Sequence, residues 1–251
     1  MKARWQSGPA SITLMRHGES MGNLADNQAR DAGAEVLELD QRDADVPLSP
    51  TGRNQADGVG AWLARRPAEE QPSIVLSSPY RRAAETAERV AAAAGLGVVY
   101  DERLRERDLG LFDGLTGHGI RSRHPEEAER RAKLGKFYYQ PPSGESWCDV
   151  VLRVRSLLND LRNGYDEARL WLLTHQAVIM SLRFALEDLS EQQLLDIDQE
   201  VQIPNASFTS YRRSGDGYEL VDFADASVIE RIDAEVTHEP DHGDGSADVR
   251  D

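Results

Sequence analysis

At 251 residues and 39% hydrophobic side chains, the chain is long enough to bury one full core, and it holds no run of about eighteen apolar residues of the kind a membrane helix needs. Its 44 acidic against 29 basic side chains, a net charge of -15, exclude a general binder of nucleic-acid backbones, which needs clustered Lys and Arg. The single cysteine, Cys148, cannot close an internal disulfide, and "MKARWQSGPAS" lacks the apolar core of a secretion signal, so a soluble cytoplasmic protein without membrane attachment is expected.

In chain order, apolar residues 11–15 ("SITLM") predict a buried strand that runs directly into Arg16 and His17. Residues 48–66 predict a helix with Ser49 as cap and Pro50 in its first turn. A second strand is expected over 73–78, followed by a helix that Ser78 caps, Pro79 opens and Gly95 closes. The charged stretch beyond "LGVVYDERLRER", with His118, His124 and "PEEAERRAKLGK", breaks the alternation and reads as a lid-like insertion around 113–146. Val150, Val151, Val154, Leu157, Leu158 and Leu161 recur at helical spacing up to a stop at Gly164. Then "ARLWLLTH" is a buried strand ending at His175, residues 176–189 form a helix, and 207–224 form a hairpin around 214–217.

This order predicts a three-layer α/β/α sandwich with a mostly parallel central sheet, as one domain over 11–232. Residues 1–10 read as a flexible N-terminus and 233–251 as an acidic, disordered tail. His238 and His242 in that tail read as solvated side chains rather than a metal pair. No cluster of carboxylates and histidines has metal-ligand spacing, so no metal or cofactor is expected.

Three predicted strands deliver basic side chains just past their C-terminal ends: Arg16 and His17, then Arg81 and Arg82, then His175. In a parallel sheet those ends share one side, where α/β proteins bind ligands, and Arg forks there suit phosphate oxygens. A small phosphorylated substrate is therefore the expected partner.

These residues resemble the histidine phosphatase superfamily, which includes the phosphoglycerate mutases. "RHGESMGN" is similar to its catalytic motif, "SSPYRRAAETA" to its arginine motif, "LRERDLGLFDG" to its acid motif and "LLTHQAVIMSLR" to its second-histidine motif, over roughly residues 11–225. The resemblance implies a phosphoglycerate mutase-like fold, with His17 as nucleophile, Glu106 as general acid and base, and Arg16, Asn23, Arg82 and His175 holding the phosphoryl oxygens. Matching the motifs selects Arg82 over Arg81 and Glu106 over Glu102. The segment between Glu106 and His175 resembles that of the shorter, phosphatase-type members, which implies a phosphatase; a mutase and a non-catalytic phospholigand or protein-binding module of the same fold are the alternatives. Arg121, Arg123, Arg130, Arg131, Lys133 and Lys136 read either as a basic rim for an anionic substrate or as a salt-bridged helix surface. Tyr138, Tyr139 and Trp147 read either as lining the mouth or as packing.

Overall fold

The computed structural model describes residue 5 and residues 7–238. A six-stranded sheet runs in the order β3-β2-β4-β1-β5-β6. Its parallel part comprises β1 (Ser11–Arg16), β2 (Ile74–Ser77), β3 (Val98–Tyr100) and β4 (Arg169–Thr174). The hairpin adds β5 (Phe208–Ser214) antiparallel to β1 and then β6 (Gly217–Asp225) antiparallel to β5, turning at Gly215 with φ +59°.

Helices cover both faces because the central strands are apolar on both sides. Ile12 and Leu14 of β1 point into one core with Leu170 and Leu172, closed by Val150, Val154 and Leu157 of α6 (Trp147–Gly164) and Ile179 and Leu182 of α7 (Gln176–Glu187). Met15 and Leu173 point the other way, against Val59 and Leu63 of α2 (Pro50–Leu63) and Ala87 and Val90 of α3 (Arg81–Ala93). The parallel register sets Arg16 opposite Thr174 and Ser77 opposite Leu173, so the C-terminal ends of β1, β2 and β4 are adjacent.

Several elements were not evident in the sequence. α1 (Met21–Asp31) follows the first strand directly, held by a capping box between Ser20 and Asn23 rather than by an apolar stripe. The three-residue β3 is too short to show a period, and α8 (Glu191–Glu200) buries only Leu194 and Asp198. The expected insertion around 113–146 contains α4 (Gly117–Arg123) and α5 (Pro125–Leu134), and α9 (Ser227–Arg231) closes the described helices.

Three local expectations need correction. α3 begins at Arg81 with Tyr80 as N-cap, because Ser78 Oγ accepts the Tyr80 N–H at 3.1 Å in a turn and does not cap the helix. Within the segment expected to be flexible, Trp5 is buried edge-on against Tyr218, with its backbone N–H donated to the Asp216 carbonyl at 2.8 Å. At the other end Ala234 and Val236 pack against the second core and Thr237 is buried, so the chain holds to the fold through Thr237; His242 lies outside the described residues. Apolar contact at single positions decided both ends, which average composition hides.

Candidate active site

The turn after β1 is built around His17. Its Nδ1 lies 2.7 Å from the Gly18 carbonyl, which can only accept, so Nδ1 carries the proton. Nε2 is left with its lone pair and takes the N–H of Arg82 Nε at 3.3 Å. This is the tautomer a nucleophilic imidazole needs. The backbone on either side is pinned: His17 N–H to the Thr174 carbonyl at 3.0 Å, Ala206 N–H to the His17 carbonyl at 3.1 Å, and Gly18 N–H to Thr86 Oγ1 at 3.1 Å.

Helix α2 presses on this turn from behind. A Cβ on Gly52 would stand 1.9 Å from the Glu19 carbonyl oxygen, so the approach requires glycine. Ser49 donates to Glu19 Oε1 at 2.6 Å, and Gln55 Oε1 accepts the Glu19 N–H at 2.8 Å. Gln55 in turn donates to Thr237 Oγ1, Thr237 to Asn205 Oδ1, and Asn205 Nδ2 to the His17 carbonyl. The end of the described chain thus reaches the turn through three side chains.

Around His17 stand the other residues expected from the strand ends. Arg16 is fully buried and donates from Nη1 to Gln176 Oε1 at 3.2 Å and to the Ile203 carbonyl at 2.5 Å. The His175 ring lies 5.0 Å from that of His17, centroid to centroid. Burial, with Arg82, His17 and Arg16 nearby, holds His175 well below the ordinary histidine range, so it is neutral. Its Nε2 is 2.9 Å from Ser78 Oγ, and its buried Nδ1 has no hydrogen-bond partner. Arg82 is buried, whereas Arg81 is exposed and paired with Glu85. Asn23 is buried at the first turn of α1, its Oδ1 accepting from Ser20 and Asn205.

Glu106 is half-buried, with Oε1 accepting the Arg107 N–H at 2.7 Å; Glu102 is exposed. The loop carrying Glu106 is tied to the same strand end, since Thr174 Oγ1 donates to the Leu104 carbonyl at 2.7 Å. Arg153 of α6 donates to the Arg103 and Glu106 carbonyls while paired with Glu145, which also binds Arg105.

The basic-rim alternative weakens here. Arg123 pairs with Glu35, Arg130 with Glu127 and Lys136 with Asp198, a salt-bridged surface. Tyr139 and Trp147 are packing residues, only 3% and 4% exposed, while Tyr138 is exposed. Among the described residues no group of three His, Cys, Asp or Glu side chains could hold a metal ion, and no helix is long and apolar enough to cross a membrane.

Sequence reasoning missed Ser78 as partner of His175, and it missed Asp43, whose carboxylate grips Arg82 at 2.9 Å. The Ser-Pro signal at Ser78 is present but by its pattern reads as a helix cap. Asp43 lies among the acids of "LDQRDAD", and nothing in that run distinguishes it.

An α/β sheet with two histidines and two buried arginines gathered at three adjacent strand ends is an arrangement suited to an anionic oxygen-rich group such as a phosphoryl group. The histidine phosphatase superfamily (branch 1) matches residues 12–226, and the chain belongs to that superfamily. Among curated relatives, a bifunctional protein of Mycobacterium tuberculosis is 34% identical over 71% of this chain, and the chain spans about 45% of that relative's length. Glucosyl-3-phosphoglycerate phosphatase of the same species is 32% identical over 70% of this chain and 74% of its own. A solved mycobacterial glucosyl-3-phosphoglycerate phosphatase with vanadate superposes with a TM-score of 0.66 at 28% identity, covering 85% of this chain and 98% of that one. YhfR of Bacillus stearothermophilus superposes at 0.69 with 26% identity, over 87% and 98%.

Proposed function

We propose that this protein is a metal-independent phosphatase that hydrolyses a small phosphomonoester through a phosphohistidine on His17. The observation that carries this reading is the His17 tautomer: Nδ1–H held by the Gly18 carbonyl, with the Nε2 lone pair facing Arg82 at 3.3 Å. The glucosyl-3-phosphoglycerate phosphatase relative supports the same reaction class.

In the first step Nε2 attacks phosphorus, the P–N bond forms, the ester P–O bond breaks, and Glu106 gives its proton to the departing alkoxide. In the second, Glu106 takes a proton from water as that water attacks phosphorus and the P–N bond breaks, which releases inorganic phosphate. Arg16, Arg82, the amide of Asn23 and the Nδ1–H of neutral His175 surround the phosphoryl oxygens and meet the charge that builds on them. For His175 this assignment follows from Ser78: if its hydroxyl donates to Nε2, the ring proton sits on Nδ1, the buried atom without a protein partner. The single thiol suits a reducing cytoplasm.

Two measurements test this. A rapid quench with phosphorus-labelled substrate is expected to trap acid-labile, base-stable label, with full turnover in excess EDTA; loss of activity to chelator with rescue by a divalent ion would overturn it. Following 2-phosphoglycerate and inorganic phosphate together from 3-phosphoglycerate separates phosphatase from mutase. Isomerisation faster than phosphate release from every substrate tried would leave the histidine chemistry and remove the phosphatase.

A further inference from the structure

A guanidinium has two edges that can each take two oxygens: the end, Nη1 with Nη2, and the side, Nε with its neighbouring Nη. On Arg82 the end edge is fully engaged by one residue. Nη1 donates to Asp43 Oδ1 at 2.9 Å and to the Asp43 backbone carbonyl at 2.7 Å, and Nη2 donates to Asp43 Oδ2 at 3.2 Å. The side edge faces the nucleophile, with Nε 3.3 Å from His17 Nε2. Beneath the guanidinium the Tyr80 ring lies 5.5 Å away, centroid to Cζ.

Asp43 comes from far along the surface, in a tight 3-10 turn, Asp43–Asp45, in the connection between α1 and α2. Its own side chain is 40% exposed, against 7% for Arg82. A half-exposed loop carboxylate therefore sets the rotation of a buried arginine.

We propose that Asp43 is a positioning residue for phosphoryl recognition, anchoring the end edge of Arg82 so that its Nε edge is presented to the phosphoryl group at His17. This rests on the function proposed above. Because the two edges are distinct, Asp43 does not compete with the substrate for Arg82; it removes the side-chain entropy that binding would otherwise have to freeze. The opposite role, a built-in anion that substrate must expel, would require the carboxylate to sit on the Nε edge.

Orthovanadate binding to the full chain separates the cases, by calorimetry and by competitive inhibition. Asp43→Ala is expected to weaken vanadate by about tenfold and to lower kcat/KM in step. Asp43→Asn, which retains one acceptor oxygen, is expected to recover part of the loss. In an Arg82→Ala background, Asp43→Ala is expected to add no further loss. Tighter vanadate binding in Asp43→Ala would show a competing anion and overturn the proposal. Unchanged vanadate binding with a lowered melting temperature would reduce Asp43 to a loop anchor, and an additive loss without Arg82 would break the link between them; either overturns it. A wild-type chain that binds no vanadate would overturn the proposed function, whereas binding by wild type with an unaffected Asp43→Ala variant removes the Asp43 role alone.

Discussion

The two sides of the site are built to different standards. Around His17, the proposed nucleophile, Arg16, His17, Glu19, Asn23, Arg82 and His175 are all buried, and the turn is gripped by β4, α2, α3 and the stretch up to Thr237. Around Glu106, the proposed acid, constraint is looser: Glu106 is half-buried, Asp108 is exposed, and the loop is held largely through Arg153 of α6 and Glu145 just before that helix. A phosphoryl group is the same in every substrate, so its cradle gains from rigidity. Leaving alcohols differ in shape, and under the proposed function the side that would meet them is the one with fewer constraints.

Substitutions can break this contrast, beginning with the largest effect. His17→Ala is expected to abolish turnover and phosphohistidine label for every substrate, a loss of four orders of magnitude or so in kcat. Label persisting in that variant, followed by rapid quench, would identify another nucleophile.

Glu106→Gln sharpens it from the other side. For alkyl phosphates kcat/KM is expected to fall by about 10²–10⁴, and far less for an activated aryl phosphate, which leaves without a proton. Equal losses for both substrate classes would remove Glu106 from the acid role. Arg82→Ala serves as the control, expected to weaken both classes alike.

Gly52→Ala probes the rigidity of the cradle directly. The added methyl must displace the Glu19 carbonyl, so a loss of about 1–3 kcal/mol in unfolding free energy is expected, with a fall in kcat because the His17 turn shifts. Chemical denaturation and kinetics on the same preparation check both. A stable variant with normal kcat would mean that the turn adapts more readily than its packing suggests.

The smallest expected effect is on pH-dependent stability. His175 is held neutral in the fold by burial and nearby cations, whereas in the unfolded chain it takes a proton below a pH of about 6.5. Below that pH the unfolded state binds more protons, so stability falls as pH falls. The melting temperature is expected to drop more steeply between about pH 7 and 5 in wild type than in His175→Gln, since the variant lacks this group; identical slopes would count against a neutral, buried His175.

Much of the residue cluster at the strand ends is legible in the sequence. Arg16, His17 and His175 stand where buried apolar runs stop, and Arg82 follows a strand and a Ser-Pro turn; local pattern marks such junctions because strand burial is written in consecutive residues. Glu106 was legible only through motif resemblance, since "DERLRERD" offers two glutamates and no period to choose between them.

The sequence by itself thus determined the alternation of strands and helices, the chemistry brought to the strand ends and the family to which those motifs belong. Tertiary structure decided what holds that chemistry still: Asp43 on Arg82, Ser78 on His175, and the run from Gln55 through Thr237 and Asn205 to the His17 carbonyl. Gln55 and Thr237 are 182 positions apart, and Asp43 and Arg82 are 39. Pairings at such separations leave no local period, because each is a single polar contact whose partner is selected by how the sheet brings distant loops together.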